Sequence, residues 1–167
     1  MLKNILVATD GSKHSEEAAK AGIELAKLSN GQITILYVVD IGGYIPMPFE
    51  GITPRPYARE EDAALRNILL KNGEEATKHI ENLARESGVP YERIILEGHP
   101  ASEILRIAEE SKMDIVIMGS IGKTGLEKFL LGSVAEKVVR SSKVPILIIP
   151  PGRPSKISIS RGVISVL

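Results

Sequence analysis

Two periods of apolar residues alternate along this chain. Lys3–Thr9 (KNILVAT) is a short, nearly unbroken apolar run, which predicts a strand buried on both faces. Asp10-Gly11-Ser12 ends it. From Ser15 to Ser29, Ala19, Ile23 and Ala26 recur at helical spacing with charges between them, and Asn30-Gly31 is a helix stop. Gln32–Val39 (QITILYVV) predicts a second strand. Asp40–Tyr57 is too rich in Gly and Pro for regular structure, and a connection of that length is usually functional or mobile. Glu60–Ser87 predicts a long helix with Leu65, Leu69, Ala76, Ile80 and Leu83 on one side. Gly73 weakens that helix by about 1 kcal/mol relative to alanine and marks a place for a kink or break. Tyr91–Glu97 is a third strand. The following helix opens at Pro100, a residue suited to the first helical position, and carries Ile104, Leu105 and Ala108 on its apolar side. Asp114–Met118, Gly132–Ser142 and Pro145–Ile149 complete the series as strand, helix and strand.

Strands and helices therefore alternate, and the strands are uniformly apolar. That pattern predicts a single α/β domain over residues 1–150, a doubly wound five-stranded parallel sheet with helices on both faces. Residues 151–167 follow a Pro-Pro-Gly-Arg-Pro break. There Ile157-Ser158-Ile159-Ser160 alternates like an edge strand, and Arg161-Gly162 can turn the chain back through Val163–Leu167. Two expectations stand for this extension: a strand or hairpin that pairs with a partner subunit, or a loosely ordered tail.

Composition narrows the function. The 167 residues carry 21 basic and 21 acidic side chains and no cysteine. Balanced charge argues against a general nucleic-acid or membrane-surface binder, and the lack of cysteine removes disulfides, thiolate metal sites and cysteine nucleophiles. No apolar stretch approaches bilayer length, so a cytoplasmic location is expected.

The segment MGSIGKTGLEKFLLGS, residues 118–133, contains Gly122-Lys123-Thr124 just after an apolar strand. A nucleotide-hydrolase P-loop needs a glycine five residues before that triplet, and Ile117 stands there instead. The glycines obey another rule: Gly119, two residues, Gly122, nine residues, then Gly132-Ser133. Gly119 ends a strand where the backbone turns. Gly122 leaves room for a phosphate at main-chain N–H groups. Gly132-Ser133 opens a helix whose free N–H groups and positive dipole end attract an anion.

This spacing, together with Ala8-Thr9-Asp10-Gly11-Ser12 after the first strand, "LYVVD", "DIVIMGS" and "VPILIIP", resembles the ATP-binding branch of the universal stress protein family. The resemblance covers most of the chain. It implies the adenine nucleotide alpha hydrolase-like strand order 3-2-1-4-5, with the nucleotide in the crevice between strands one and four. It further implies that Asp10 bonds the ribose hydroxyls and that the backbone at Val38 holds the adenine. Gly119, Gly122, Gly132 and Ser133 would then cradle the phosphates. Asp10 is equally a turn-former in Asp-Gly-Ser. Lys123 is either a γ-phosphate contact or a solvated charge. His14 and His99 fall near the carboxyl ends of strands, where each either borders the ligand or, as the simpler assignment, is a surface or helix-end histidine, and the three histidines are too scattered for a metal site.

No residue of the glycine segment stands out as a base to orient water, so no catalytic residue is assigned and hydrolysis is expected to be slow at most. Mg²⁺ or Mn²⁺ would travel with the nucleotide. The resemblance also implies a homodimer through the edge strand at 144–149, with the tail able to extend it to a higher oligomer, and a downstream protein that the sequence does not identify. A dimeric stress-response scaffold that does not use nucleotide is the alternative. A transferase or pyrophosphatase of the wider group would carry a Ser-Gly-Gly turn or paired histidines where Thr9-Asp10-Gly11-Ser12 stands.

Overall fold

The computed structural model describes residues 2–40, 60–121, 131–152, 157–160 and 163–166, with backbone only for 60–62 and the last two stretches. The elements are β1 (Asn4–Thr9), α1 (Lys13–Ser29), β2 (Gln32–Asp40), α2 (Glu60–Glu86), β3 (Tyr91–Gly98), α3 (Pro100–Glu110), β4 (Ile115–Gly119), α4 (Ser133–Ser141) and β5 (Ile146–Ile149). They are followed by β6 (Ile157–Ser160) and β7 (Val163–Val166). The first five strands form one parallel sheet in the order β3-β2-β1-β4-β5. The tail forms a separate antiparallel hairpin in which Ile157 faces Val166 and Ser160 faces Val163.

Alternation along β1 explains the layering. Ile5 and Val7 belong to the core shared with α1 and α2, through Ala19, Ile23, Ala26, Ile80 and Ala84. Leu6 and Ala8 point the other way, into a core built with Ala101, Ile104 and Ala108 of α3 and Ala135 and Val138 of α4. Both faces being covered, the strand needs no polar residue until Thr9.

Most elements agree with the periodicity, and particular contacts explain three details. Helix α1 begins at Lys13, not Ser15, because Ser12 caps it by accepting the Ser15 N–H at 3.2 Å. Helix α2 runs unbroken across Gly73. A Cβ there would lie 2.8 Å from Tyr37 Cδ1, so the glycine lets the helix backbone rest on the tyrosine ring.

Asp114, read from its apolar neighbours as the start of the fourth strand, precedes β4 instead. Its carboxylate accepts the N–H groups of Lys3 at 2.7 Å and Asn4 at 2.8 Å, tying the start of β1 to the start of β4. The Asn4 and Lys3 N–H groups hold its carboxyl below the usual carboxylate range. Asp114→Ala is expected to lower stability at pH 7 by about 1–3 kcal/mol. The folded pKa is depressed, so this contribution is complete above the unfolded value of about 3.9 and fades as pH falls through the folded one. Urea unfolding at pH 7 and pH 3 should therefore show a wild-type advantage that shrinks in acid. An advantage equal at both values would remove the charge from the explanation.

Candidate nucleotide site

The site is assembled at the carboxyl ends of β1, β2 and β4. Beyond Thr9 the chain turns within three residues. Asp10 accepts the Ser12 N–H on Oδ1 at 2.9 Å, and Gly11, at φ +79°, donates its N–H to Thr9 Oγ1 at 3.1 Å. That left-handed φ suits glycine, and a Cβ there would also press on Ala76 Cβ at 3.2 Å. Thr9 and Ser15 share a buried hydroxyl contact of 2.9 Å, and the Ser15 hydroxyl donates to Ser12 O at 2.8 Å. The turn is thereby locked, and the half-buried Asp10 is held at the lip of the β1–β4 crevice.

The turn-forming role of Asp10 is thus realised at the carboxyl end of β1. On β2, the register with β1 ends at Tyr37 opposite Thr9, whereas pairing with β3 continues through Val38 and Leu96. Val38 therefore stands above the end of β1, with its strand edge facing the crevice.

On the other lip, Gly119 pairs with Ile149 and ends β4. A Cβ on Gly119 would sit 3.3 Å from both His14 O and Ile121 O, so only glycine fits without a shift of backbone. The Ser120 N–H donates to Ile149 O at 3.0 Å, and the Gly132 N–H donates back to Ser120 O at 2.8 Å. The two ends of the glycine segment consequently meet in space. Gly132 is the N-cap of α4 and provides no side-chain acceptor for its first-turn N–H groups, and the exposed Ser133 follows. Those N–H groups and the helix dipole favour an anion. Gly122, Lys123 and Thr124, and the connection at 40–58, lie outside the described residues.

The structure also shows features with no signal in the sequence. A cleft of about 450 Å³ lies between the β1–α1 turn and α2, lined by Asp10, Ser12, Glu16, Tyr37, Asn72 and His79 among others. Of the candidate residues it includes Asp10 alone, so it backs onto the turn and does not coincide with the β1–β4 crevice. Glu16 meets Lys20 Nζ at 2.6 Å and His79 Nε2 at 3.4 Å. The Lys20 hydrogen bond holds the Glu16 carboxyl below its usual range, opposed by burial and helped by His79. His79 and Asn72 are 63 and 62 positions from Glu16 and Asp10, and nothing in their own surroundings marks them as neighbours of the turn.

Comparison with known proteins agrees with this fold. Universal stress protein MJ0531 of Methanocaldococcus jannaschii is 40% identical over 149 residues, which span 89% of this chain and 82% of that protein. The solved structure of MJ0577, described as a structure-based assignment of the biochemical function of a hypothetical protein, superposes with a TM-score of 0.75 at 34% identity. It covers 89% of this chain and 96% of its own. A universal stress protein solved in complex with cAMP gives a TM-score of 0.65 at 25% identity, over 88% of this chain and 96% of its own. The profile of the Universal stress protein family matches residues 1–150. By this match, the five-stranded sheet order and the 40% identical relative, the chain belongs to the universal stress protein family.

Proposed function

We propose that this protein binds ATP in the β1–β4 crevice and acts as a nucleotide-dependent regulatory switch with at most slow hydrolysis. The observation that carries this is the Gly132 N–H bond to Ser120 O, which joins the two ends of the glycine segment beside the Asp10 turn. Asp10 bonds the ribose, the backbone at Val38 holds the adenine, and Gly119, Gly122, Gly132 and Ser133 surround the phosphates. The cAMP complex of a relative supports an adenine nucleotide as the ligand class. Mg²⁺ or Mn²⁺ travels with the phosphates of the nucleotide.

The domain is residues 1–150, and a second copy covers the β5 edge. Ile146 and Ile148 are half-buried there, and Val139 on the neighbouring α4 is 43% exposed. Covering an apolar edge removes a site of uncontrolled strand pairing. The β6–β7 hairpin is available to extend that contact, and a downstream protein reads the bound state. No helix among the described residues is long and apolar enough to cross a membrane.

The test is calorimetric titration of nucleotide-free protein with ATP, with and without Mg²⁺, and with AMP for comparison, alongside the mass in solution by light scattering. ATP is expected to bind with micromolar or tighter affinity, about −8 kcal/mol, with AMP much weaker and the mass that of a dimer. A dimer that gives no heat with millimolar ATP would instead support the scaffold that does not use nucleotide.

A further inference from the structure

Thr9 and Ser15 place two hydroxyl groups in the interior beside the Asp10 turn, where the residues are only 8% and 5% exposed. Their protons are assigned by elimination. The Ser15 hydroxyl donates to Ser12 O at 2.8 Å, which uses its one proton. The 2.9 Å contact between the two hydroxyls must then run from Thr9 to Ser15. Thr9 Oγ1 in turn accepts the Gly11 N–H at 3.1 Å. The result is a one-way chain from Gly11 N–H through Thr9 and Ser15 to Ser12 O, in which each hydroxyl both gives and receives. Such chains reinforce themselves in a poorly solvated interior. Ser12 closes the arrangement: its hydroxyl accepts the Ser15 N–H at 3.2 Å, and its own N–H donates to Asp10 Oδ1 at 2.9 Å. Asp10 is thus held by Ser12, and Ser12 by Ser15, whose place on α1 is set by the packing of Ala18 and Ala19 in the core. A turn that only reversed the chain would need less, because the Asp10–Ser12 bond closes it and the Ser12 hydroxyl caps the helix. What the hydroxyl chain adds is orientation, since it fixes the peptide groups on both sides of Gly11-Ser12.

We propose that Thr9 and Ser15 are positioning residues for sugar recognition: their hydroxyl chain holds the Asp10 carboxylate in the orientation that meets the ribose hydroxyls, and so sets the preference for an intact ribose. The inference rests on the assignment of Asp10 to the ribose in the nucleotide reading above and deepens it. Being buried, neither hydroxyl touches the nucleotide itself. A carboxylate accepts hydroxyl donors well only within a limited range of angles, so loosening the turn costs the sugar contact before it costs the fold. The phosphates, approached from the Gly132 side, keep their own contacts.

The experiment titrates the full chain with ATP and with 2′,3′-dideoxyATP, in the wild type and in Thr9→Val, Thr9→Ser and Ser15→Ala, each checked for folding by circular dichroism. Valine keeps the shape of threonine without its hydroxyl, and serine keeps the hydroxyl. The wild type is expected to prefer ATP by about tenfold or more. Thr9→Val and Ser15→Ala should reduce that preference to less than about threefold, by weakening ATP while leaving the dideoxy nucleotide within about twofold. Thr9→Ser should retain most of the preference. A structural role alone would weaken both nucleotides together, or lower the melting temperature, without changing their ratio. If Thr9→Val fails to fold, Ser15→Ala and Thr9→Ser decide.

A folded Thr9→Val or Ser15→Ala that keeps the wild-type preference would overturn the positioning role and leave the nucleotide reading intact. A wild type that binds both nucleotides equally would overturn the ribose contact of Asp10, and the positioning role with it, while ATP binding stood. A wild type that binds neither would overturn the nucleotide reading itself.

Discussion

Asp10→Ala is expected to weaken ATP binding by roughly 10- to 100-fold, about 1–3 kcal/mol, through loss of charged hydrogen bonds to the ribose. The difficulty is that Asp10 also builds the turn, through its 2.9 Å bond from the Ser12 N–H. Asp10→Asn separates the two roles, because the amide oxygen still accepts from Ser12 while the charge is gone. A ribose contact predicts that both variants fold and that asparagine keeps only part of the affinity. Should asparagine bind ATP like wild type and alanine unfold, Asp10 would be a turn-former alone. Calorimetry and circular dichroism on the same samples distinguish these outcomes.

Ile117→Ala is expected to have the largest effect on stability, a loss of about 2–5 kcal/mol from the deleted methyl groups and the cavity left behind. Ile117 is 0% exposed, pairs with Val7 on one side and Leu147 on the other, and lies two positions before Gly119. Relaxation there is restricted. The position of a Cβ on Gly22 is already 3.7 Å from Ile117 Cδ1 and 2.6 Å from Val7 Cγ2, so α1 is as close to the sheet as its glycine permits. The melting temperature should fall by roughly 10 °C for a domain of this size. ATP at about 100 times its dissociation constant should return about 2.7 kcal/mol by mass action. A loss below about 1 kcal/mol would mean that the α1–β4 contact collapses to fill the space.

These two positions illustrate how differently fold and site were written in the chain. The strand and helix alternation needed only local periodicity: runs such as ILVA and IVIM have no polar residue because both faces of each strand are covered. Strand character in the tail was legible from the Ile-Ser alternation at 157–160. Gly119 was legible as the end of a strand, and a tight backbone approach is what the structure shows there.

Contacts made by ordinary residues were not legible. Asp114 had the signal of a residue opening a strand, yet its carboxylate serves Asn4, 110 positions away. Gly73 had the signal of a helix break, and only the Tyr37 ring shows why the helix passes through it.

Sequence alone determined the layered α/β sheet and the turn after the first strand, because each follows from local conformation. Tertiary structure decided that Ser120 and Gly132 close on each other, that Asp114 joins two strand starts, and that the helix at Gly73 rests on the Tyr37 ring. Those outcomes depend on the packing distance between elements far apart in the chain, and no local pattern encodes such a distance.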